Sequence, residues 1–143
     1  DVEREPVYLT TANSHGEHDY GDSYVEINLT NQHLFLYKDG KLVVESDFVS
    51  GNLSKGHDTP TGAFGLTYKT MNAVLRGPDY ETPVTYWMPF NGGIGFHDAT
   101  WQAYFGGDRY TYAGSHGCIN MPLDAAATLY SIIDTNVPIV CFY

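Results

Sequence analysis

The sequence predicts a mainly β fold with one helix packed on it, and three observations carry that prediction. Apolar and polar residues alternate with period two from Tyr24 onward. Turn-forming dipeptides break the apolar runs at short intervals. Only one segment, toward the C-terminal end, spaces its apolar residues as a helix would.

In the first strand Val25, Ile27 and Leu29 alternate with Tyr24, Glu26 and Asn28, which predicts one buried face. Leu34 and Leu36 continue the pattern. Asp39-Gly40 follows, flanked by Lys38 and Lys41, before Leu42, Val43 and Val44 run back. Asp-Gly between apolar runs predicts a type I′ hairpin, because that turn needs positive φ at both central residues. Residues 24–50 therefore read as a β-meander. Thr59-Pro60-Thr61-Gly62 and Asn91-Gly92-Gly93 read as turns. Strands are predicted over 64–68, 84–90 and 93–97, while the weakly periodic stretch between Tyr68 and Val84 reads as a loop or flap over a cleft. The helix is expected to be capped by Asn120, with Pro122 and Asp124 in its first turn and Leu123, Ala126, Tyr130 and Ile133 along one face. It should end near Asp134, with a final strand over 138–143. Residues 1–22 are polar and unpatterned and read as a linker or the remnant of an upstream domain; His15 and His18 are incidental to that stretch.

A chain of 143 residues that is 43% hydrophobic suits a single domain with a real core. Its formal net charge of −10, with seven Lys and Arg spread thinly, excludes nucleic acid as a partner, since duplex binding depends on neutralising phosphates. No apolar stretch is long enough to span a bilayer. Any export signal or membrane anchor is expected upstream of Asp1.

The chemistry concentrates between Gly114 and Pro122. Cys118 lies in a glycine-containing turn that reads as feeding the N-terminus of the helix, where the dipole would lower a thiol's pKa toward neutrality. The same turn can aim the Gly117 and Cys118 N–H groups at an oxyanion, a device worth about 3–4 kcal/mol. A thiol needs a base, and His97, at the end of a predicted strand, is the candidate. His116 is two residues from Cys118 in a tight turn and is expected to line the site instead. Two cysteines also allow a Cys118–Cys141 disulfide, and the count alone does not choose between pairing and a free nucleophile. The turn and the available histidines favour a nucleophile, and Cys141, between Val140 and Phe142, reads as a buried core residue. A zinc site on His97, His116 and Cys118 lacks a fourth ligand and any ligand-pair spacing. Asp98 and the His57-Asp58 pair read as structural, and Trp87 as either core or cleft.

The run Ser115-His116-Gly117-Cys118-Ile119-Asn120, with His97 upstream, resembles the signature of the L,D-transpeptidase catalytic domain, the YkuD-type family. Supporting matches are the strand and hairpin over 24–43, His57-Asp58-Thr59-Pro60-Thr61-Gly62, Trp87-Met88-Pro89-Phe90 and Gly95-Phe96-His97-Asp98. Together they extend the resemblance over about residues 23–143. It implies a β-sandwich or barrel-like catalytic fold with a helix after the cysteine turn, and a peptidoglycan enzyme outside the membrane, at the cell wall, with no metal or organic cofactor. Cys118 would attack the amide after the third residue of a tetrapeptide stem, release D-alanine, and pass the acyl group to an amine of a second stem in a 3→3 cross-link. His97 would be the base, oriented by a backbone carbonyl near Gly114–Ser115. His116, Gly117 and Cys118 would form the oxyanion hole, beside Ser115. Trp101 and Asn120, and less directly Tyr68, would line the substrate cleft. Carbapenem β-lactams would acylate Cys118. The alternatives are an L,D-carboxypeptidase, in which water accepts the same acyl group, and a non-catalytic peptidoglycan-binding module with its cysteines paired.

Overall fold

The meander predicted at the start of the domain forms as β1 (Tyr24–Asn28), β2 (His33–Lys38) and β3 (Lys41–Asp47), paired antiparallel in sequence order. In the Asp39-Gly40 turn both residues take positive φ, 52° and 80°, as a type I′ hairpin requires. The computed structural model describes residues 23–77 and 80–143; the linker reading of residues 1–22 lies outside them.

The remaining strands are β4 (Gly62–Gly65), β5 (Thr70–Gly77), β6 (Tyr80–Asn91), β7 (Ile94–Asp98), β8 (Ile119–Met121) and β9 (Pro138–Phe142). They make a five-stranded sheet in the order β3-β2-β1-β9-β4 and a four-stranded sheet in the order β5-β6-β7-β8. A one-turn helix, α1 (Tyr110–Ala113), precedes the cysteine turn, and α2 (Leu123–Ile132) follows β8 and packs on β3, β6 and β7. One apolar core joins both sheets to α2, with Val25, Ile27 and Leu34 from the first, Met88, Phe96, Ile119 and Met121 from the second, and Ala126 and Leu129 from the helix.

Three expectations are corrected. β1 is buried on both faces, because Tyr24, Phe35, Tyr37 and Val140 form a second cluster on the far side of the sheet. The stretch after Tyr68 is not a loop: β5 pairs with β6 from Thr70↔Trp87 to Gly77↔Tyr80. The mixed sequence of β5 shows no clear period because neither of its faces is buried in the core. The helix begins at Leu123, with Pro122 at its N-cap and no side-chain cap bond, so Asn120 is a strand residue rather than a cap. Its buried face is Ala126, Leu129 and Ile133, which leaves Leu123 exposed.

The C-terminal end of α2 is closed by a side chain from elsewhere. Lys69 donates from Nζ to the carbonyls of Tyr130 at 2.8 Å and Ile133 at 2.9 Å, and its ammonium lies 5.1 Å from the centre of the Tyr130 ring. A cation there satisfies orphaned carbonyls and complements the helix dipole. Lys69→Met keeps the stem and removes the charge; thermal unfolding is expected to show a loss of about 1–2 kcal/mol.

Candidate active site

Parallel pairing of β7 with β8 sets the site. The register places Phe96 beside Ile119 and His97 beside Asn120. Side chains alternate along strands, so Phe96, Ile119 and Met121 enter the core while His97, Cys118 and Asn120 line one cleft of about 470 Å³. The approach of β7 to β6 depends on Gly95, where a Cβ would sit 2.4 Å from the Pro89 Cα and 2.5 Å from the Met88 carbonyl oxygen. A bulge between Pro89 and Asn91 lies at this contact.

The turn that carries the thiol is held from several sides. Ser115 Oγ donates to the Cys118 carbonyl at 2.6 Å and accepts from the Gly117 N–H at 3.0 Å. Gly117 has φ 130°, a conformation L side chains rarely adopt. Its carbonyl accepts from the buried Thr59 hydroxyl at 2.7 Å, and that hydroxyl in turn accepts from the Gly51 N–H at 3.0 Å. The chain after β3 then runs alongside. Ser115 exchanges backbone bonds with Ser50 and Asn52, and Asn120 exchanges two with Val49.

His97 is buried between two indoles, with ring centres 6.0 Å from Trp87 and 5.8 Å from Trp101. Its Nδ1 lies 2.8 Å from the Asp98 carbonyl oxygen. A carbonyl can only accept, so Nδ1 carries the proton and Nε2 keeps its lone pair. The orienting group is thus the next residue's own carbonyl, not one near Gly114–Ser115, because the strand geometry puts it within reach first. Burial pushes the imidazole pKa down, opposed by the Asp98 backbone bond and charge. The Asp98 carboxylate faces away and accepts the N–H groups of Thr85 (2.9 Å) and Tyr86 (2.8 Å), beyond the last pairing of β6 with β7.

The expected lowering of the thiol pKa by a helix dipole is not borne out. Cys118 is followed by β8 and not by a helix, so no dipole end reaches it. Its Sγ donates to the Gly93 carbonyl at 3.4 Å, and burial pushes its pKa up to about 11, with a backbone bond at Gly95 opposing. Both cysteines are free, which removes the disulfide reading; Cys141 is buried and its pKa is pushed up to about 12. The oxyanion expectation also changes. The Gly117 N–H is occupied by Ser115 Oγ, which leaves the Cys118 N–H as the donor of that pair.

His116 lines the cleft with its ring stacked on His57 at 4.6 Å. Trp101 is an exposed cleft wall, and Asn120 is buried with no hydrogen-bond partner on Oδ1 among the described residues. Tyr68 is outside the cleft lining: its hydroxyl takes the Trp87 indole N–H at 3.3 Å. Sequence reasoning missed Thr59, hidden in what read as a plain turn, and Leu75, Thr82, Gln102 and Arg109, which reach the cleft from the β5–β6 hairpin and the segment before α1. No group of three or more possible metal ligands occurs among the described residues.

These geometries resemble known proteins. The L,D-transpeptidase catalytic domain family, YkuD, matches residues 22–141. A comparison with curated proteins finds no match. Among solved structures, the Ldtfm–avibactam carbamoyl enzyme is 42% identical with a TM-score of 0.82, covering 85% of this chain and 49% of its own. A mutant of the Enterococcus faecium L,D-transpeptidase is 40% identical with a TM-score of 0.83, covering 87% and 51%. The catalytic domain from E. faecium acylated by ertapenem is 42% identical with a TM-score of 0.74, covering 85% and 97%. The chain thus spans about half the length of the first two.

Two outcomes follow from the thiol and its clamp. Alkylation of the native protein should label Cys118 and spare Cys141, with a rate that climbs about tenfold per pH unit through pH 9 instead of levelling near neutrality. Thr59→Val strands the Gly117 carbonyl and the Gly51 N–H; chemical denaturation should show a loss of about 1–3 kcal/mol.

Proposed function

The chain belongs to the L,D-transpeptidase catalytic domain family, and from that membership we propose that it forms 3→3 cross-links in peptidoglycan through an acyl-enzyme on Cys118, outside the membrane at the cell wall. The observation that carries the reading is one cleft lined by a free thiol and an imidazole whose unprotonated nitrogen is fixed by its other hydrogen bond.

With both groups neutral at rest, the proton moves as the bond forms. His97 Nε2 takes the Cys118 proton while sulfur attacks the carbonyl carbon of the amide after the third stem residue. The oxyanion is met by the Cys118 N–H, with His116 at the cleft wall. The C–N bond then breaks, and the imidazolium returns its proton to the departing amine of D-alanine. An amine from a second stem attacks the thioester; His97 takes one of its protons and returns it to sulfur as the new amide forms. Trp101 and Asn120 are the cleft residues that support substrate binding. Tyr68 would act only indirectly, through Trp87. Ser115 and Gly117 act by shaping the turn.

A carbapenem presents a strained amide to the same sulfur, and the relative acylated by ertapenem supports that reaction. Mass spectrometry of the parent protein after incubation should find an adduct that is absent in Cys118→Ala. His97→Ala should slow acylation by about 10²–10⁴-fold, the usual contribution of a positioned base, and His116→Ala by less. An adduct that persists in Cys118→Ala overturns the assignment.

A further inference from the structure

In a chain with a net charge of −10, the residues lining the cleft include one Arg and no Asp or Glu. That cation, Arg109, is built in. Its Nε donates to Gln102 Oε1 at 2.6 Å, and Gln102 is itself oriented by donating from Nε2 to the Ala113 carbonyl at 3.3 Å. The guanidinium lies 4.8 Å from the centre of the Tyr104 ring, whose hydroxyl is bonded to that of Tyr112, and Arg109 also bonds Tyr112. These contacts fix the guanidinium plane without neutralising it: no carboxylate pairs with Arg109 among the described residues. A planar fork with spare donors, held in place and left unpaired, is suited to a carboxylate ligand.

We propose that Arg109 is the residue that recognises the free terminal carboxylate of the donor stem and so restricts cleavage to the last amide. The inference rests on the acyl-transfer reading above and names the substrate feature that reading leaves open. In a D-alanyl terminus the carboxylate carbon is three bonds from the scissile carbonyl carbon, so an uncleaved stem with that carbonyl against the Cys118 sulfur holds its negative charge only a few ångströms away, in the cleft that Arg109 also lines. A reader of that charge distinguishes a chain end from an internal amide, which offers the same scissile bond without it. Arginine serves here better than lysine because both oxygens can be met at once.

The test compares two tetrapeptide stems, one ending in free D-alanine and one in D-alaninamide, with release of the terminal residue and the Cys118 thioester both followed. The parent enzyme should prefer the acid by about tenfold to a hundredfold in kcat/KM, the range of one charged contact. Arg109→Gln should abolish the preference, chiefly by raising KM for the acid, while leaving alkylation of Cys118 near the parental rate. Arg109→Lys, which keeps the charge, should retain part of it and covers the case in which Arg109→Gln fails to fold. Binding of the same two peptides to Cys118→Ala, followed by intrinsic tryptophan fluorescence, should show the same discrimination without turnover. If the parent processes both stems equally, or Arg109→Gln keeps the preference, the assignment of Arg109 is overturned while the acyl-transfer reading stands. If the parent forms no thioester with either stem, the acyl-transfer reading fails and this inference with it.

Discussion

The backbone pairing of residues 49–52 with residues 115–120 is the constraint on which the site depends. Residues 49–52 leave the five-stranded sheet after β3, and residues 115–120 lead from the cysteine turn into β8 of the four-stranded sheet. Their bonds therefore join the two sheets directly at the segment that carries the thiol. Gln32 extends the join inward: buried at a positive φ of 53°, it accepts from the Ser50 N–H and donates to Ser50 Oγ and the Leu29 carbonyl. A turn tied on both sides in this way has lost its conformational freedom on folding, so little is left to lose when a ligand arrives.

The electrostatics of the resting site follow from its packing. Burial lowers the basicity of His97, which lies against Trp87 and Trp101, and burial pushes up the pKa of the half-buried Cys118 thiol. Each change disfavours the ion pair, and the two act in the same direction. The Gly93 carbonyl, which accepts from the thiol, reinforces the neutral state. Reactivity is then conferred by a bound electrophile that draws the proton across, and not by a standing thiolate.

The sequence made the hairpin at Asp39-Gly40 and the shared placement of His97 and Cys118 readable, because both rest on local rules: a turn type that demands positive φ, and a strand end facing a glycine turn. The misreadings share a cause. Asn120-Met121-Pro122 satisfies the rules for a helix start, yet backbone partners at Val49 and Phe96–Asp98 draw it into a strand, a contest no local rule can decide. The helix starts only at Leu123, beyond β8, so its dipole end does not fall at the sulfur. Strand β5 has no fully buried residue, so no core-facing period could announce it. Thr59 reads as turn chemistry because its partners, Gly51 and Gly117, stand 8 and 58 positions away. Arg109 carried no motif at all; its significance comes from being the one arginine in a cleft lining that holds no Asp or Glu.

The order β3-β2-β1-β9-β4 has a consequence for how the domain is made. β9 occupies a slot inside the sheet, parallel to β1 on one side and antiparallel to β4 on the other. Until those residues leave the ribosome, β1 and β4 have no bridge, and Ile139 is missing from the apolar interior. The meander can form early from neighbouring contacts, but closure waits on a pairing between the earliest and latest strands, which carries a high loop-closure cost. The whole domain should thus become cooperative late in synthesis, in a single step that inserts a strand between two edges already waiting for it.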